Sequence, residues 1–333
     1  MNNLSIIGSD KASTGLNKRP INVGISACLI GNEVGYNAGH RQSRLCLDLL
    51  SKCFTFTSFC PEPAAGFGIL RPTMKPTGDP NSPRLVFISD ESCDLTSQLV
   101  KGFQKKLSEI GHLDGCILMK NSPCYALDRV KVYQANGDSH QLRTAGVFAR
   151  ALKKHYPLMP IEEEGRLHDD QSFDNFLLRV YAYSNFKKEV LECPSLHHLM
   201  VFHSRYKYLL MAHNQDKTRA LGRLLGTYDG GSLEALTDDY FSAFIEALSK
   251  PASRKNHTNA LFHILGYLKH NLSPVTREHI ITIIHNYNKG LTPLTTPLTL
   301  LKHYLMQHGS DYIKEQRYLE PYPEKISPTV QYL

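Results

Sequence analysis

Three cysteines stand where loops could gather them. Cys28 follows the apolar run INVGISA, Cys60 opens Cys60-Pro61-Glu62 after FTFTSF, and Cys124 ends Ser122-Pro123-Cys124 after GCILMKN. Each lies just past the carboxyl end of a predicted parallel strand, where the loops of an open α/β sheet converge on a ligand crevice. Three thiolates from three loops could hold three irons of a cubane cluster and leave the fourth open. Such an iron is a Lewis acid and a soft acceptor for sulfur. Spacing alone leaves a second reading, in which these are buried thiols packed as small hydrophobes.

The other five of the eight cysteines point to the core rather than to a site. Cys46 and Cys53 sit within the helical pattern RQSRLCLDLLSKC, Cys116 falls inside a strand-like run, and Cys93 reads as a packed thiol. Cys193 is isolated in the second half of the chain. No Cys-x-x-Cys pair occurs, which argues against zinc ribbons and thioredoxin-like redox pairs. No Gly-x-Gly-x-x-Gly follows a strand, so a dinucleotide-binding oxidoreductase has little support.

The elements that must position these residues are short strands alternating with helical patterns. INVGISACLIG (21–31), FTFTSFC (54–60), PRLVFIS (84–89), GCILMK (115–120) and RVKVY (129–133) read as strands. RQSRLCLDLLSKC (41–53) and TAGVFARALKKHYP (144–157) read as helices. So does 92–111, with Asp94 as its cap and apolar residues at 95, 99, 103 and 107. Alternation of this kind predicts an α/β domain with a mostly parallel, Rossmann-like sheet. From about Ser172 the character changes to long helical patterns, at 173–191, 198–214, 219–226, 231–249, 256–271, 275–289 and 295–308. An all-α domain is therefore predicted after a boundary in IEEEGRLHDD (161–170). The expected division is a flexible leader over 1–20, an α/β domain over 21–165 and a helical domain over 166–333.

A chain of 333 residues with 41% hydrophobic and 21% charged residues suits two folded domains rather than disorder. No apolar run reaches the roughly 18 residues that span a bilayer. The first twenty residues lack the apolar stretch of a secretion signal, so a cytoplasmic location is expected. The net charge of +7 permits an anionic partner without demanding one. Within HSRYKYLLMAHNQDKTRALGRLLG (203–226), the cations Arg205, Lys207, Lys217, Arg219 and Arg223 face a single acid, Asp216. They could contact phosphates, with Tyr206 and Tyr208 stacking on bases. The competing reading is a solvated helix face with the tyrosines in the core stripe.

The blocks ISACLIGNEVGYNAGH, FCPEPAAGFGILRPTMK and ILMKNSPCYALDRVKVY closely resemble the thiouracil desulfidase (TudS-like) family. FHSRYKYLLMAHN, LGRLLG, GYLKHNLS, PLTTPLTLLKHYLMQHG and QRYLEPYP resemble the YbgA-type domain. The tandem is similar to the bacterial tRNA 4-thiouridine desulfidases, and the two resemblances cover roughly residues 20–325. They imply a [4Fe–4S] cluster on Cys28, Cys60 and Cys124 with one iron not ligated by protein. They imply non-redox removal of sulfur from a thiolated pyrimidine, with 4-thiouridine in tRNA as substrate, the second domain engaging the RNA. Glu62 maps onto the family's general acid/base, and Ser122 onto the serine that orients substrate or relays a proton.

The third loop departs from the family pattern, which runs Ser-Pro-Ser/Thr-Cys-Gly. Aligned through RVKVY, this chain places Cys124 in the Ser/Thr position, Tyr125 in that of the ligand cysteine and Ala126 in that of the glycine. Cys124 as third ligand thus requires the loop to slip by one residue; otherwise the third ligand is missing. Two further functions stay open: a non-catalytic tRNA-binding protein with a degenerate site, and a desulfidase of free thiouracil.

Overall fold

A computed structural model of the chain describes residues 20–323. The expected leader falls, except for Pro20, outside the described residues.

The first half carries two four-stranded sheets. Strands β1 (Ile21–Ser26) and β2 (Phe54–Phe59) pair in parallel, as predicted from their apolar runs. A four-residue helix, α1 (Pro61–Ala64), follows β2. Strands β3 (Met74–Thr77) and β4 (Arg84–Phe87) pair antiparallel and lead into α2 (Thr96–Glu109), where Leu95, Leu99, Phe103 and Leu107 are all buried. Asp94 accepts the amide of Thr96 at 2.9 Å and so acts at the helix start as the sequence suggests. Strand β5 (Gly115–Leu118), strands β6 (Val130–Tyr133) and β7 (Ser139–Thr144), helix α3 (Val147–His155) and strand β8 (Ile161–Glu163) complete this half.

The order β2-β1-β5-β8 makes one wholly parallel sheet. The runs at 84–89 and 129–133 do not join it. They form β4 and β6 of the second sheet, ordered β4-β3-β6-β7, whose outer pairs are antiparallel. The boundary stretch 161–170 begins as β8, the edge of the parallel sheet, and continues as a 3-10 turn over Glu164–His168. The pattern at 41–53 folds as a π turn (Leu45–Leu49) and a 3-10 turn (Leu50–Lys52) rather than a regular helix.

The second half is helical, as predicted. It comprises α4 (Asp170–Phe186), α5 (Leu196–His213), α6 (Gln215–Gly226), α7 (Leu233–Leu248), α8 (Arg254–Leu265), α9 (Pro274–Asn288), α10 (Thr295–His308) and α11 (Asp311–Lys314). Asp169, Ser195, Asn214, Ser232, Ser253 and Ser273 cap the starts of α4 to α9 with side-chain oxygens, satisfying amides that no helical carbonyl can reach. An aromatic cluster of Phe186, Phe202, Tyr206, Tyr240 and Phe244 fills its centre.

Helix α4 also serves the first half. A Cβ at Gly115 would stand 2.8 Å from Val180 Cγ2, so the bare glycine lets α4 lie close against β5. Lys187, just beyond α4, pairs with Asp114 at 3.3 Å and donates to the carbonyls of His112 and Leu113. One continuous buried apolar cluster runs through both halves.

Candidate functional site

The carboxyl ends of β1, β2 and β5 open into a cavity of about 380 Å³. Cys28 enters from the 3-10 turn Ala27–Ile30 that follows β1, and Gly31, with φ +95°, ends that turn. Cys60 precedes α1 and Glu62 lies in its first turn, Pro61 supplying a φ suited to a helix start. Ser122 comes from the loop after β5. Its neighbour Asn121 holds φ +56°, a left-handed conformation that asparagine tolerates better than most residues. Cys28, Cys60, Glu62, Ser122 and Tyr125 all line the cavity.

The third loop buries both Cys124 and Tyr125. Cys124 is fully buried with its thiol against Glu62, and Tyr125 lines the cavity. The Tyr125 ring packs with Phe59 and Phe148 at centroid distances of 6.2 and 5.7 Å, and its hydroxyl donates to the carbonyl of Phe59 at 2.6 Å. Behind it, the amides of Phe148 and Ala149 both donate to the Cys124 carbonyl, at 3.0 and 3.1 Å. The amide of Gly146 donates to the Ala126 carbonyl at 2.7 Å. The approach is so close that a Cβ on Gly146 would lie 2.4 Å from the Cys124 carbonyl carbon. On the other side, Ser122 Oγ accepts the amides of Cys124 and Tyr125, each at 3.2 Å, and Glu163 Oε1 accepts that of Leu127 at 2.6 Å. A slip by one residue would break this set together, with Cα atoms 3.8 Å apart along the chain.

Arg71 escaped the sequence reading, although it lies in the FGILRPTMK block. Its guanidinium is buried and forms an ion pair with Glu62. It also donates to the carbonyls of Gly68 at 2.9 Å, Ile69 at 3.2 Å and Val34 at 3.1 Å. One side chain thus fastens both rim loops, 34–40 and 66–72, to the carboxylate. The Asn37–Leu70 bridge and the amide of Arg71 donating to the Tyr36 carbonyl join the same loops through backbone. Tyr36, Ile69 and Leu70 stand exposed there. The sequence signal available was only an arginine before Pro72, which does not reveal four partners.

Burial governs the thiols. It raises Cys60 to about 11, with the Glu62 charge adding to the rise and the hydrogen bond from Tyr125 opposing it. Cys28 is raised by the same loss of solvation, and Cys124 and Tyr125 are pushed well above their ordinary ranges. These cysteines are therefore neutral thiols near pH 7, and a metal ion would have to displace their protons.

For an iron–sulfur cluster, Cys28 and Cys60 fit: both are half-buried, both face one cavity, and both leave neighbouring strand ends. Cys124 is fully buried, with its thiol beside Glu62 and near Cys60, so it stands with the same group of side chains. Among the described residues, no set of three or more Cys, His, Asp and Glu side chains converges as a ready-made metal site. Of the remaining cysteines, Cys46 and Cys116 are buried and Cys53 half-buried, in keeping with their place in apolar patterns. Cys93 is exposed and so is not a packed thiol, because its stretch lies in a surface turn before α2 rather than in an apolar run.

The basic set is scattered. Arg205 is held by Glu189 at 3.4 Å and Glu315 at 3.0 Å, and Lys217 by Glu246 at 2.6 Å. Arg219 meets Asp216 at 3.5 Å and is exposed, like Arg223 and Lys207. Tyr206 and Tyr208 are buried and cannot stack on bases. Tyr206 packs on Phe202, and the Tyr208 hydroxyl bonds that of Tyr267 at 2.9 Å, because their helix face meets α7 and α8.

The family model for 2-thiouracil desulfurase matches residues 23–164, and one described as a protein of unknown function (DUF1722) matches residues 207–323. The uncharacterized protein YbgA of Escherichia coli (strain K12) is 30% identical over 155 residues, which is 46% of this chain and 92% of that protein. The solved structure of a [4Fe-4S]-dependent thiouracil desulfidase, TudS, is 23% identical with a TM-score of 0.35, covering 45% of this chain and 94% of its own. The chain belongs to the proteins that join a TudS-like 2-thiouracil desulfurase domain to a YbgA-type domain. Among the described residues, no helix is long and apolar enough to cross a membrane.

Proposed function

We propose that the chain is a thiouracil desulfidase-like enzyme that converts 4-thiouridine in tRNA to uridine and sulfide. The observation that carries this reading is the meeting of Cys28, Cys60, Glu62 and Ser122 on one cavity at the strand ends. In this reading a [4Fe–4S] cluster is bound there with one iron free of protein ligands, and when bound it supplies a Lewis-acidic, sulfur-seeking metal corner. The desulfurase-family match over 23–164 supports the substrate class, and the YbgA-type half, with exposed Lys207, Arg219 and Arg223, supports an RNA partner.

The chain's own residues then have defined tasks. Water adds its oxygen to the ring carbon, the carbon–sulfur bond breaks, and both protons of that water leave with the sulfide, so no electrons are exchanged. Glu62, fixed by Arg71, takes the first of those protons and returns it to the departing sulfur. Ser122 Oγ already accepts two amides, which leaves its own proton to donate toward a group in the cavity and makes it a better donor. The buried wall formed by Tyr125 and Met119 excludes bulk water from one side.

The test is to incubate anaerobically iron-loaded protein with 4-thiouridine-bearing tRNA and with free 2-thiouracil, following sulfide release and the near-ultraviolet band. Turnover of the tRNA is expected. Turnover of the free base alone would move the activity to small substrates. Tight tRNA binding with no sulfide from either would favour the second reading, a non-catalytic tRNA-binding protein, for which Tyr125 in the third loop is the favouring observation.

A further inference from the structure

We propose that Tyr36, Ile69 and Leu70 form a rigid prong at the cavity mouth that draws the thiolated nucleotide out of the RNA stack. Leu70 fills the gap the nucleotide leaves, and Tyr36 stacks on its pyrimidine. This rests on the reading of the cavity as an RNA desulfidase site and adds how a base within folded RNA reaches it. An enzyme that acts on a base atom must first take the base out of its stack.

Three observations carry it. The first is exposure: Tyr36 is 45% exposed, Ile69 49% and Leu70 78%. Large apolar side chains gathered in water mark a contact surface, whereas scattered single ones need no explanation. The second is place. Tyr36 lines the cavity while staying exposed, and the backbone pairing of Asn37 with Leu70 sets the other loop beside it. The third is rigidity. The Arg71 amide donates to the Tyr36 carbonyl at 3.1 Å, while its guanidinium holds Glu62 and the carbonyls of Gly68, Ile69 and Val34. The turn after Tyr36 is closed by the Gly35 amide, which donates to the Gly39 carbonyl at 2.9 Å. A Cβ on Gly35 would lie 2.5 Å from that oxygen. Neighbours on an extended segment point to opposite sides, so Arg71 turns in toward Glu62 and Leu70 out to solvent. A wedge must be braced in this way, since a loose loop would yield before the stack did.

Charge selects the occupant. Arg41 and Lys120 are exposed and line the same mouth, Lys120 with Glu164 only at 3.9 Å. Among the described residues, the one acid in the cavity wall is Glu62, which Arg71 engages. Cations beside an apolar prong suit a nucleotide, whose base stacks and whose phosphate is anionic.

The experiment uses the full-length, iron-loaded chain, native and as Leu70→Ala, Tyr36→Ala and Tyr36→Phe. An RNA hairpin with uridine at the target place and 2-aminopurine beside it reports unstacking as a rise in fluorescence, with no chemistry required. The native chain and Tyr36→Phe should give the rise, and Leu70→Ala should lose most of it. On thiolated tRNA, kcat/KM should fall about tenfold in Tyr36→Ala, the usual worth of one base–aromatic stack. Leu70→Ala should lose turnover of the tRNA but not of free 4-thiouridine nucleoside, which needs no extrusion. A full rise and undiminished tRNA turnover in Leu70→Ala would overturn the proposal, as would a native chain that gives no rise. A native chain that unstacks the hairpin through Leu70 yet releases no sulfide would overturn the desulfidase reading and leave the prong standing.

Discussion

The Tyr125 hydroxyl donates to the Phe59 carbonyl at 2.6 Å, joining the end of β2 to the loop after β5 across the floor of the cavity. That bond fixes a tyrosine between two loops that each carry a candidate thiol, and it sets the terms on which the site can be altered.

Removing the Glu62 charge tests the acid–base role. Glu62→Gln is isosteric and keeps a hydrogen-bonding partner for Arg71, so folding should survive. The rate of sulfide release should fall by about 10²–10⁴-fold, the usual worth of a positioned proton-transfer group. An undiminished rate, measured in single turnover on thiolated tRNA, would remove Glu62 from the chemistry.

Arg71 is predicted to matter to folding as well as to activity. Arg71→Ala strands a nearly buried carboxylate and frees three rim carbonyls, so a loss of about 3–5 kcal/mol is expected from denaturant unfolding. The double variant Arg71→Met with Glu62→Leu should recover much of that stability while staying inactive.

Gly146→Ala probes the lock on the third loop. The added methyl meets the Cys124 carbonyl and the Tyr125 amide, at 2.4 and 2.7 Å, both backbone and so unable to swing aside. A destabilisation of about 1–3 kcal/mol is expected, the usual cost of overpacking. It should be accompanied by faster alkylation of Cys124.

Much of this was legible before the fold was known, and the gaps have physical causes. β1, β2 and β5 are apolar runs with clear ends, so the loops carrying Cys28 and Cys60 could be placed. The second sheet escaped notice because β3 is MKPT, with a proline inside it, and β7 is SHQLRT, nearly all polar and largely exposed. β8 is IEE, which reads as a linker until its pairing with β5 is known. The inward turn of Tyr125 depends on amides of α3 more than twenty residues downstream, which no local pattern reveals. Tyr206 and Tyr208 looked available for stacking because helical spacing alone does not say which stripe meets α7 and α8.

The helical half should lose stability in acid. Burial holds His257 at about 3 and His203 at about 4, beside Tyr318 and Tyr240, so both stay neutral in the fold at pH 5. The unfolded chain protonates them near 6.5, so it binds more protons as pH falls from about 6.5 to 4. Each histidine then costs about 1.4 kcal/mol per pH unit over that window. Asp174, raised to about 6 by loss of solvation, works in the opposite sense and, as one group against two, offsets only part. Urea midpoints at pH 7 and pH 5 should show the decline, and His257→Gln should flatten it.

RNA engagement divides the cations into two groups. Arg219→Glu with Arg223→Glu should weaken tRNA binding and lower the salt slope by about 0.7 for each single-strand phosphate left unneutralised. Turnover of free thiouracil should be untouched. Arg205→Glu is expected to act on the fold instead, since Arg205 bridges Glu189 and Glu315. Equal effects of both changes on RNA affinity, with unaltered melting, would refute the division.

The edge position of β8 bears on how the two halves could ever be separated. Glu163 holds the Leu127 amide, and Glu164 accepts the Ser43 hydroxyl at 3.0 Å, so the acidic stretch braces two loops of the cavity from outside. Severing the chain where its composition changes would strip a border strand from the sheet and unfasten those loops. An independent catalytic half must therefore keep at least this stretch, and it would also miss the cover that α4 lays over β5.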